Sequence, residues 1–457
     1  MEDISKVVEA QRKFFFENKT KEVAFRKNQL IKLKNVLKAN ENKLCEAIYK
    51  DMKKSGFETY ATELGLVYNE IKIAIRSLDK WAKIKKVKTN LINFPGKSFI
   101  IPEPFGNCLI IGAKNYPYQL SLAPLVPAIA AGNTAIIKPS ELTQNSSKAL
   151  AEIINQNFKP EFIYTIEGGI ETTTELLNNK FDKIFFTGST RVGKIILEAA
   201  AKHLTPVVLE LGGKSPAIVM PGADLKIAAR RITLGKFLNA GQTCIAPDYL
   251  LIHKTIKEDF LKILCEEINR KYGNSAMNSE AYTSIIGHNS FVNLVGLIDK
   301  DKIYFGGKSD ETELFISPTI LNNVSFDDKI MENEIFGPIL PVIEFSDFDE
   351  IILKIKQHSK PLSLYIFTKS KNDWEKVFQE ISFGGGAIND TLMHIANPNL
   401  PFGGVGHSGI GNYHGEAGFR TFSHYKSVLK KSTLFDPGIK YPPYKTWKLK
   451  ILKWLLE

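Results

Sequence analysis

The chain has 457 residues, 44% of them hydrophobic and 24% charged, a balance that excludes a disordered protein and predicts two or three domains. Its net charge of +11 comes from lysines spread along amphipathic segments, a pattern typical of solvated faces, so no nucleic-acid partner is expected. The four cysteines form no CxxC pair, which argues against a disulfide framework or a metal site and favours a reducing, cytoplasmic compartment.

The N-terminal region is predicted to be helical for the first 80 or so residues and then to form a projecting β arm. Leu30, Leu33 and Leu37 recur at helical spacing, which predicts helices that cover another part of the fold. No signal peptide is recognisable, and no apolar run reaches the roughly 18–20 residues of a membrane span. A soluble protein, or one bound only at a membrane surface, is therefore expected. Between residues 85 and 104, short β-type runs flank an FPGK turn.

Short apolar runs alternate with helical segments from residue 107 onward. Strands are expected at NCLIIGA, TAIIKPS, FIYTIEGG and DKIFFTGS, and again after about residue 210 at SPAIVM, DYLLIH, IYFGG, ILPVIEF and LSLYIFT. Continuous apolar runs of this length indicate parallel strands covered on both faces. The sequence therefore predicts an α/β fold whose first domain is a doubly wound parallel sheet, with a ligand beyond the carboxyl ends of its strands.

Polar residues follow two of the first strands. Asn115 comes after NCLIIGA and would donate a hydrogen bond to an oxyanion, although an asparagine before a helix is also a common cap or turn residue. Lys138 and Glu141 follow the next strand, where they would hold ribose hydroxyls or simply form a charged strand exit. From the sequence alone, both interpretations remain open for each residue.

A phosphate-binding turn is predicted in FFTGSTRVGK. Gly188 and Gly193 open a predicted helix whose N-terminal N–H groups and dipole favour a pyrophosphate. The spacing is GxxxxG instead of GxGxxG, and a simple helix cap by Ser189 or Thr190 is the alternative.

Two residues of chemical interest lie in the second half. Glu210 ends an apolar run, so its carboxylate is either exposed at a strand terminus or buried for a purpose. Cys244 lies in NAGQTCIAPD, where Gly241 and Pro247 favour a tight turn that exposes the sulfur, aims backbone N–H groups at it and lowers the pKa of the thiol. A buried, inert thiol is the alternative.

The C-terminal segment KTWKLKILKWLLE is predicted to form an amphipathic helix. Its two faces carry Trp447, Ile451, Trp454 and Leu455 on one side and Lys450 and Lys453 on the other. This pattern is typical of an interfacial helix on a membrane, and a helix docked on the same chain or on a partner subunit fits it equally well.

These segments together resemble the aldehyde dehydrogenase superfamily over nearly the whole chain. Seven motifs occur in the family's order: NYP at 115–117, KPSE at 138–141, FTGSTRVG at 186–193, LELGGKSP at 209–216, NAGQTC at 239–244, EIFGP at 334–338 and PFGGVGHSGIG at 401–411. The NDTLMH segment at 389–394 and the GNYHGEAGFRTFSHYKS run resemble the class 3 branch, which includes fatty aldehyde dehydrogenases. Alanine and lysine precede Asn115 where many relatives have proline and tryptophan, which leaves the shape of the pocket open.

The resemblance implies three structural parts and a tail. An NAD(P)-binding domain with N-terminal helices is expected from residues 1–84 and 104–209, and an α/β catalytic domain from 210–393. A small β oligomerisation element is expected from 85–103 and 394–443, followed by the amphipathic tail 444–457. Class 3 members are commonly homodimers, so a homodimer is expected. For the tail, the sequence leaves three roles open: peripheral membrane contact, gating of the substrate funnel and packing on a partner subunit.

The resemblance also implies NAD(P)-dependent oxidation of medium- or long-chain aliphatic aldehydes, with aromatic and polyene aldehydes included, to carboxylic acids. Cys244 would attack as a thiolate, Asn115 and the Cys244 N–H would stabilise the thiohemiacetal oxyanion, and Glu210 would activate the water that hydrolyses the thioester. The alternatives are an acyl-transferring, coenzyme A-dependent relative, which usually lacks the base, and a non-catalytic cofactor-binding protein on the same fold.

The cofactor positions that the resemblance implies are Lys138, Glu141, Gly188, Ser189, Val192, Gly193, Glu334, Phe336 and Phe402. Lys138 and Glu141 would hold the adenosine ribose, Ser189 would lie near the pyrophosphate, and Glu334 would hold the nicotinamide ribose. The two phenylalanines would line the cofactor and the active site. The carboxylate of Glu141 favours NAD because it competes for the ribose hydroxyls and repels a ribose phosphate, while use of NADP stays open. No metal is implied.

Overall fold

The computed structural model describes residues 3–456. Its helices are α1 Ile4–Phe16, α2 Val23–Ala39, α3 Glu41–Met52, α4 Gly56–Thr59, α5 Gly65–Trp81, α6 Gln119–Ala131, α7 Gln144–Asn157, α8 Ile170–Asn178, α9 Thr190–Ala201, α10 Leu225–Phe237, α11 Lys257–Tyr272, α12 His288–Val295, α13 Phe348–Gln357, α14 Lys371–Glu380, α15 Gly415–Thr421 and α16 Thr446–Leu456. Its strands are β1 Lys85–Val87, β2 Gly96–Pro104, β3 Asn107–Ile111, β4 Thr134–Lys138, β5 Ile163–Thr165, β6 Lys183–Thr187, β7 Val207–Glu210, β8 Pro216–Val219, β9 Tyr249–His253, β10 Ile303–Phe305, β11 Ser309–Asp310, β12 Phe315–Ile316, β13 Thr319–Leu321, β14 Ile339–Phe345, β15 Ser363–Phe367, β16 Gly385–Ile388, β17 Gly409–Ile410 and β18 Ser423–Lys431.

The first sheet has six strands in the order β17-β7-β6-β3-β4-β5, all parallel except the edge strand β17. The chain runs outward from β3 to β5 and then returns to the other side of β3, which creates a topological switch between β3 and β6. The side chains of β3 alternate between two hydrophobic cores. Cys108 and Ile110 are buried in one core, and Leu109 and Ile111 are buried in the other. Both faces of the sheet are therefore covered, and the predicted doubly wound architecture is confirmed.

Helices α2, α3 and α5 cover one face of this sheet, and α1 lies on the other face. Leu30, Leu33 and Leu37 of α2 are fully buried because their spacing places them on one side of the helix. They share a core with α5 and with α6, which is buried along its whole length. Burial of each leucine side chain contributes about 1.5–3 kcal/mol, so this cover belongs firmly to the first sheet.

The second sheet has seven strands in the order β10-β13-β14-β9-β8-β15-β16, parallel except for β10. The five strands expected from the sequence are all present, as β8, β9, β10, β14 and β15. Strands β13 and β16 were not predicted. Strand β16 opens on two glycines, which weaken its β pattern. Strand β13 has 3 residues, as the predicted β10 has, so its length alone does not explain why it was missed.

The arm predicted between residues 85 and 104 forms a three-stranded sheet, β1-β2-β18. Strand β18 pairs antiparallel with β2 from Ser423 opposite Pro104 to Lys431 opposite Gly96. The resemblance groups residues 402–422 with this arm, but in the structure they pack with the first sheet. Strand β17 extends that sheet, and Phe419 is buried in the same core as helices α2, α3 and α5.

The C-terminal segment forms helix α16, with no buried residue. Trp447 is 53% exposed and Trp454 77% exposed. The Lys448 ammonium donates to the carbonyl oxygens of Gly438 at 2.9 Å and Tyr441 at 2.7 Å, which ties the helix to the loop before it. Among residues 3–456, no helix is both long and apolar enough to cross a membrane.

Candidate active site

The residues singled out in the first domain lie at the carboxyl ends of its strands. Asn115 follows β3, Lys138 ends β4, Gly188 follows β6 and Glu210 ends β7. Because the carboxyl ends of parallel strands meet at one edge of a sheet, these residues share the edge that contains the topological switch. Cys244 approaches this edge from the second half of the chain.

The loop before Cys244 has an unusual backbone. Asn239, Ala240 and Gly241 take positive φ values of 54°, 50° and 73° in succession. A left-handed conformation costs roughly 1–2 kcal/mol for a residue with a side chain, so the loop needs strong support. The Gln242 amide supplies part of it by donating to Ser284 O at 3.1 Å and accepting from the Ile286 N–H at 2.8 Å.

A second loop, residues 333–338, packs directly against the cysteine loop. A Cβ atom at Gly241 would lie 2.3 Å from the carbonyl oxygen of Gly337, so only glycine allows this approach. Phe336, next to Gly337, is partly exposed and takes a φ of 53°. The NAGQTC and EIFGP motifs, almost a hundred residues apart in the sequence, are therefore two halves of one site.

Asn115 joins the same site from the first sheet. It is buried, and its side-chain amide donates to the carbonyl oxygen of Gln242 at 3.0 Å. The next residue, Tyr116, places its hydroxyl 2.6 Å from that of Thr243. Asn115 lies four residues before α6 and caps no helix in this structure, so the cap interpretation does not hold. One of its two amide hydrogens remains for another acceptor.

Three buried charged residues that the sequence reading did not single out stand behind these loops: Lys54, Glu58 and Glu63. The Glu58 carboxylate accepts a hydrogen bond from the Asn239 N–H at 3.0 Å, which helps to hold the strained cysteine loop. The segment KKSGFETYATELGL belongs to the helical cover expected from the sequence, and nothing local in it marks these three residues as buried.

Cys244 is partly exposed, but its thiol is not activated in this structure. Burial raises the pKa of the thiol, and the carboxylates of Glu334 and Glu210 raise it further; the N–H groups of Cys244 and Ile245 act in the opposite direction. The expectation that the turn lowers the thiol pKa is therefore wrong here, because lost hydration and two nearby carboxylates outweigh the backbone N–H groups.

Glu210 is buried at the end of β7, which answers the question left open by its position. Both carboxylate oxygens lack a hydrogen-bond partner among residues 3–456. Burial raises the pKa of this carboxyl well above its usual value. An unsatisfied buried polar group is costly, so a structural role explains this carboxyl poorly. A buried carboxyl with a raised pKa and two free oxygens is well suited to proton transfer.

Glu334 lies against the glycine pair that follows β7. A Cβ atom at Gly212 would lie 1.8 Å from Glu334 Oε2, so the LGG sequence makes room for this carboxylate. Burial and Asp248 raise the pKa of Glu334 to about 8, while a hydrogen bond from the Gly213 N–H lowers it. Lys214 follows Gly213 in the chain. Its ammonium lies 2.6 Å from the Asp248 carboxylate and donates to Asn333 O at 2.8 Å, which fixes the loop that carries Glu334.

A cluster of buried rings lies close to Glu210. Phe402 is buried, with its ring centroid 5.5 Å from that of His414 and 5.9 Å from that of Tyr413. Burial and then the Glu210 carboxylate raise the pKa of Tyr413, which places this phenol in the field of Glu210. Burial also lowers the pKa of His414 to about 4, so the imidazole is neutral at physiological pH.

Lys138 and Glu141 form an ion pair beside an open cavity. The buried Lys138 ammonium lies 2.6 Å from Glu141 Oε2, and Glu141 is partly exposed. The cavity has a volume of about 410 Å³, and Glu141, Lys148 and Glu167 contribute to its lining. Burial is the largest single effect and raises the pKa of Glu141, but the hydrogen bond from Lys138, a backbone hydrogen bond and the charge of Lys138 together lower it more, so the net shift is downward. The pair therefore presents an ionised carboxylate to the cavity.

The turn between β6 and α9 has the features of a phosphate site. Ser189 caps α9 by accepting a hydrogen bond from the Val192 N–H at 3.4 Å, as the cap interpretation proposed. A Cβ atom at Gly193 would lie 2.8 Å from Leu211 Cδ2, so this glycine lets the helix pack against the end of β7. Thr187 Oγ1 is buried there and has no partner within residues 3–456. A free hydroxyl, a helix N-terminus and the nearby Lys138–Glu141 pair fit a dinucleotide.

Comparison with known proteins identifies the relatives of this chain. The family model described as "Aldehyde dehydrogenase family" matches residues 1–428. A 4,4'-diaponeurosporen-aldehyde dehydrogenase of Staphylococcus aureus is 50% identical over 442 residues, covering 96% of this chain and 96% of that protein. Aldehyde dehydrogenase family 3 member A2 of Pongo abelii is 43% identical over 434 residues, covering 94% and 90%. A solved structure titled "Substrate bound state of Staphylococcus Aureus AldH" is 48% identical, with a TM-score of 0.98 and 100% of both chains covered.

Proposed function

The chain belongs to the aldehyde dehydrogenase family and oxidises aldehydes with NAD or NADP, and on this premise we propose that Cys244, Asn115 and Glu210 carry out the reaction. One observation supports the assignment above all. The Asn115 amide donates to the loop that holds Cys244, and the Cys244 thiol lies in the field of the Glu210 carboxylate. A nucleophile, an oxyanion donor and a base thus meet at one place.

Cys244 acts first. Its thiol loses a proton, the sulfur bonds to the aldehyde carbon, and the carbonyl oxygen becomes an oxyanion. The free amide hydrogen of Asn115 and the Cys244 N–H stabilise that negative charge. A nicotinamide cofactor held at this site would supply the hydride acceptor that the conversion of the thiohemiacetal into a thioester requires.

Glu210 acts second. Its carboxylate takes a proton from the water that attacks the thioester carbon; the carbon–sulfur bond breaks, the thiolate leaves, and a carboxylic acid forms. Burial raises the pKa of Glu210, which is the direction that strengthens a carboxylate as a general base. Because neither carboxylate oxygen has a partner in the part of the chain that the structure describes, both are free to accept from water.

The cofactor is proposed to lie along the carboxyl edge of the first sheet. Lys138 and Glu141 hold the adenosine ribose beside the cavity, and the turn 188–193, with Ser189 as its cap, receives the pyrophosphate. Glu334, which lies against Gly212, holds the nicotinamide ribose, and Phe336 lines the same region. Three observations support this placement: the Lys138–Glu141 ion pair, the cap of α9 by Ser189, and the close packing that glycine allows at positions 193 and 212.

The proposed substrates are medium- or long-chain aliphatic aldehydes, with aromatic and polyene aldehydes included. The Staphylococcus aureus relative is named for 4,4'-diaponeurosporen-aldehyde. In this chain, the cluster of buried rings formed by Phe402, Tyr413 and the neutral His414 suits an apolar substrate.

The proposal is tested by the initial rate of NADH formation across a chain-length series of aldehydes, for the wild type and Cys244→Ala in parallel. A rate that increases with chain length and vanishes in the variant is expected. Formation of NADH by Cys244→Ala at the wild-type rate would refute the nucleophile. A wild type that releases product only when coenzyme A is present would identify the acyl-transferring alternative.

We also propose that the protein is a cytoplasmic homodimer that touches a membrane surface through α16. Exposed Trp447 and Trp454, with four lysines between residues 445 and 453, support binding to an anionic lipid surface. Cosedimentation with anionic vesicles is expected for the wild type and not for the Trp447→Ala, Trp454→Ala double variant. The matched control is Leu204→Ala, which removes a 91% exposed side chain elsewhere; equal loss of binding in this control would contradict the role of the helix.

A further inference from the structure

A buried ion pair lies directly behind the loop that carries Asn115. The Lys54 ammonium is 2.8 Å from Glu63 Oε1, and both side chains are completely buried. Lys54 follows α3, and Glu63 stands in the π-helical turn Tyr60–Leu64 that joins α4 to α5. Removing two charges from water carries a large desolvation cost that their attraction seldom returns, so the pair is poorly explained as a source of stability. A π-helical turn is also often found near a functional site.

The ion pair uses its remaining hydrogen-bonding capacity on the Asn115 loop. The Lys54 ammonium donates to the carbonyl oxygen of Asn115 at 3.2 Å. Glu63 Oε2 accepts from the N–H groups of Tyr118 at 2.8 Å and Gln119 at 3.3 Å. The two side chains thus hold both ends of the segment 115–119. The Lys54 ammonium also lies 4.3 Å from the centre of the Tyr116 ring, between those ends.

We propose that Lys54 and Glu63 are positioning residues for aldehyde oxidation. They fix the backbone of residues 115–119 so that the free amide hydrogen of Asn115 points at the developing oxyanion. The inference rests on the proposed function, because it takes Asn115 as the oxyanion donor. Neither residue touches the substrate; both act through the loop.

The test uses a variant that removes both charges at once, Lys54→Met with Glu63→Gln, so that no unpaired charge is left buried. Since a misplacement of about 1 Å at a reacting group costs about a hundredfold, kcat is expected to fall roughly 10- to 100-fold. The KM values for aldehyde and NAD are expected to stay within about threefold, because the oxyanion exists only after substrate has bound.

A matched control removes an ion pair elsewhere. Lys257, the first residue of α11, has a buried side chain, and its ammonium lies 3.0 Å from the Glu344 carboxylate near the end of β14 in the second sheet. The variant Lys257→Met with Glu344→Gln is expected to keep the wild-type kcat. The pair differs from Lys54–Glu63 in that the Glu344 side chain is 49% exposed. An equal fall of kcat in this control would mean that losing an ion pair remote from the Asn115 loop also impairs the enzyme, and would overturn the inference.

A combination with Asn115→Ala separates positioning from general structural support. Removal of an oxyanion donor typically costs about 10²- to 10³-fold in kcat, so Asn115→Ala alone is expected to show a loss of that order. When it is combined with the charge-free pair, that is, with the variant Lys54→Met, Glu63→Gln, no further loss of kcat is expected, because the pair acts through Asn115. Two losses that multiply would show independent effects and overturn the inference.

The outcomes distinguish this inference from the proposed function. If Asn115→Ala keeps the wild-type kcat, the proposed oxyanion role fails and the inference fails with it. If Asn115→Ala loses activity while the charge-free pair retains it, only the inference fails. Should the charge-free pair not fold, Glu63→Asp retains both charges but draws the carboxylate back from the Tyr118 N–H. A several-fold lower kcat then supports the inference, and a wild-type kcat overturns it.

Discussion

Glu210 and Cys244 have separable roles because their side chains depend on different contacts. The Glu210 carboxylate makes no hydrogen bond to any residue between 3 and 456, so glutamine in its place breaks no contact within that range. Cys244, by contrast, stands in a loop whose strained backbone is held from several sides. A change at Glu210 therefore reports on proton transfer with little structural disturbance, whereas the loop is expected to tolerate few substitutions.

Glu141 is predicted to set the preference between the two cofactors. Glu141→Gln removes the charge that repels a ribose phosphate and frees the Lys138 ammonium to bind it. The ratio of kcat/KM for NADP to that for NAD is expected to increase about tenfold, which corresponds to about 1.4 kcal/mol. Glu167→Gln, on the wall of the same cavity, is the control and is expected to leave the ratio nearly constant. An unchanged ratio in Glu141→Gln would contradict the placement of the ribose.

Among single residues, the sequence singles out those that stand in short motifs, and it misses the residues that hold these motifs in place. Asn115 and Glu210 stand in short motifs at the ends of apolar runs, and Cys244 stands in a glycine-bearing polar motif, so all three could be singled out. Lys54 and Glu63 lie more than fifty residues before Asn115 in a segment rich in lysine and glutamate. Nothing local distinguishes a buried pair from a solvated one, because burial is decided by tertiary packing.

The contact between α5 and α15 is predicted to respond to pH. Glu70 of α5 is buried and accepts from the Gly415 N–H at 3.1 Å. Burial raises the pKa of Glu70 to about 7, although that hydrogen bond opposes the shift. The folded state therefore binds a proton that the unfolded chain has already lost, so the stability contributed by this group is present below the unfolded pKa and decreases as pH increases through about 7.

Glu70→Gln removes this dependence while it keeps an acceptor for the Gly415 N–H. Between pH 5 and pH 8, the free energy of unfolding of the variant is expected to gain up to about 3 kcal/mol relative to the wild type. Chemical denaturation at the two pH values measures the difference. A difference between variant and wild type that is the same at both pH values would contradict the buried carboxyl.

At the scale of elements, the sequence predicts both sheets because their strands are continuous apolar runs. Strands β13 and β16 were not predicted, and the pairing of β17 with β7 could not be, since a two-residue edge strand of glycine and isoleucine has no pattern of its own. Strand β18 is expected only as an unspecified part of the small β element that the resemblance implies. Its partner β2 lies more than three hundred residues earlier, and long-range pairing of this kind leaves no local trace.

For the whole molecule, the arm sheet is predicted to form the homodimer contact. Strand β18 is an edge strand of nine residues, and Val428 and Leu429 on it are 40% and 44% exposed. A long edge with apolar side chains is a ready template for pairing with another chain. The double variant Val428→Asp, Leu429→Asp is expected to have the mass of one chain in light scattering, where the wild type has the mass of two. A wild type that is already monomeric would contradict the homodimer.

The central claim, that Cys244 is acylated and Glu210 releases the acyl group, is tested most directly by the mass of the enzyme during the reaction. Glu210→Gln, mixed with NAD and a long-chain aldehyde and then quenched, is expected to give a burst of about one NADH per site. Turnover after the burst should be slow. The enzyme should gain the mass of the aldehyde less two hydrogens, on the peptide that contains Cys244. Steady turnover at the wild-type rate, or an acyl group on any other residue, would contradict the account.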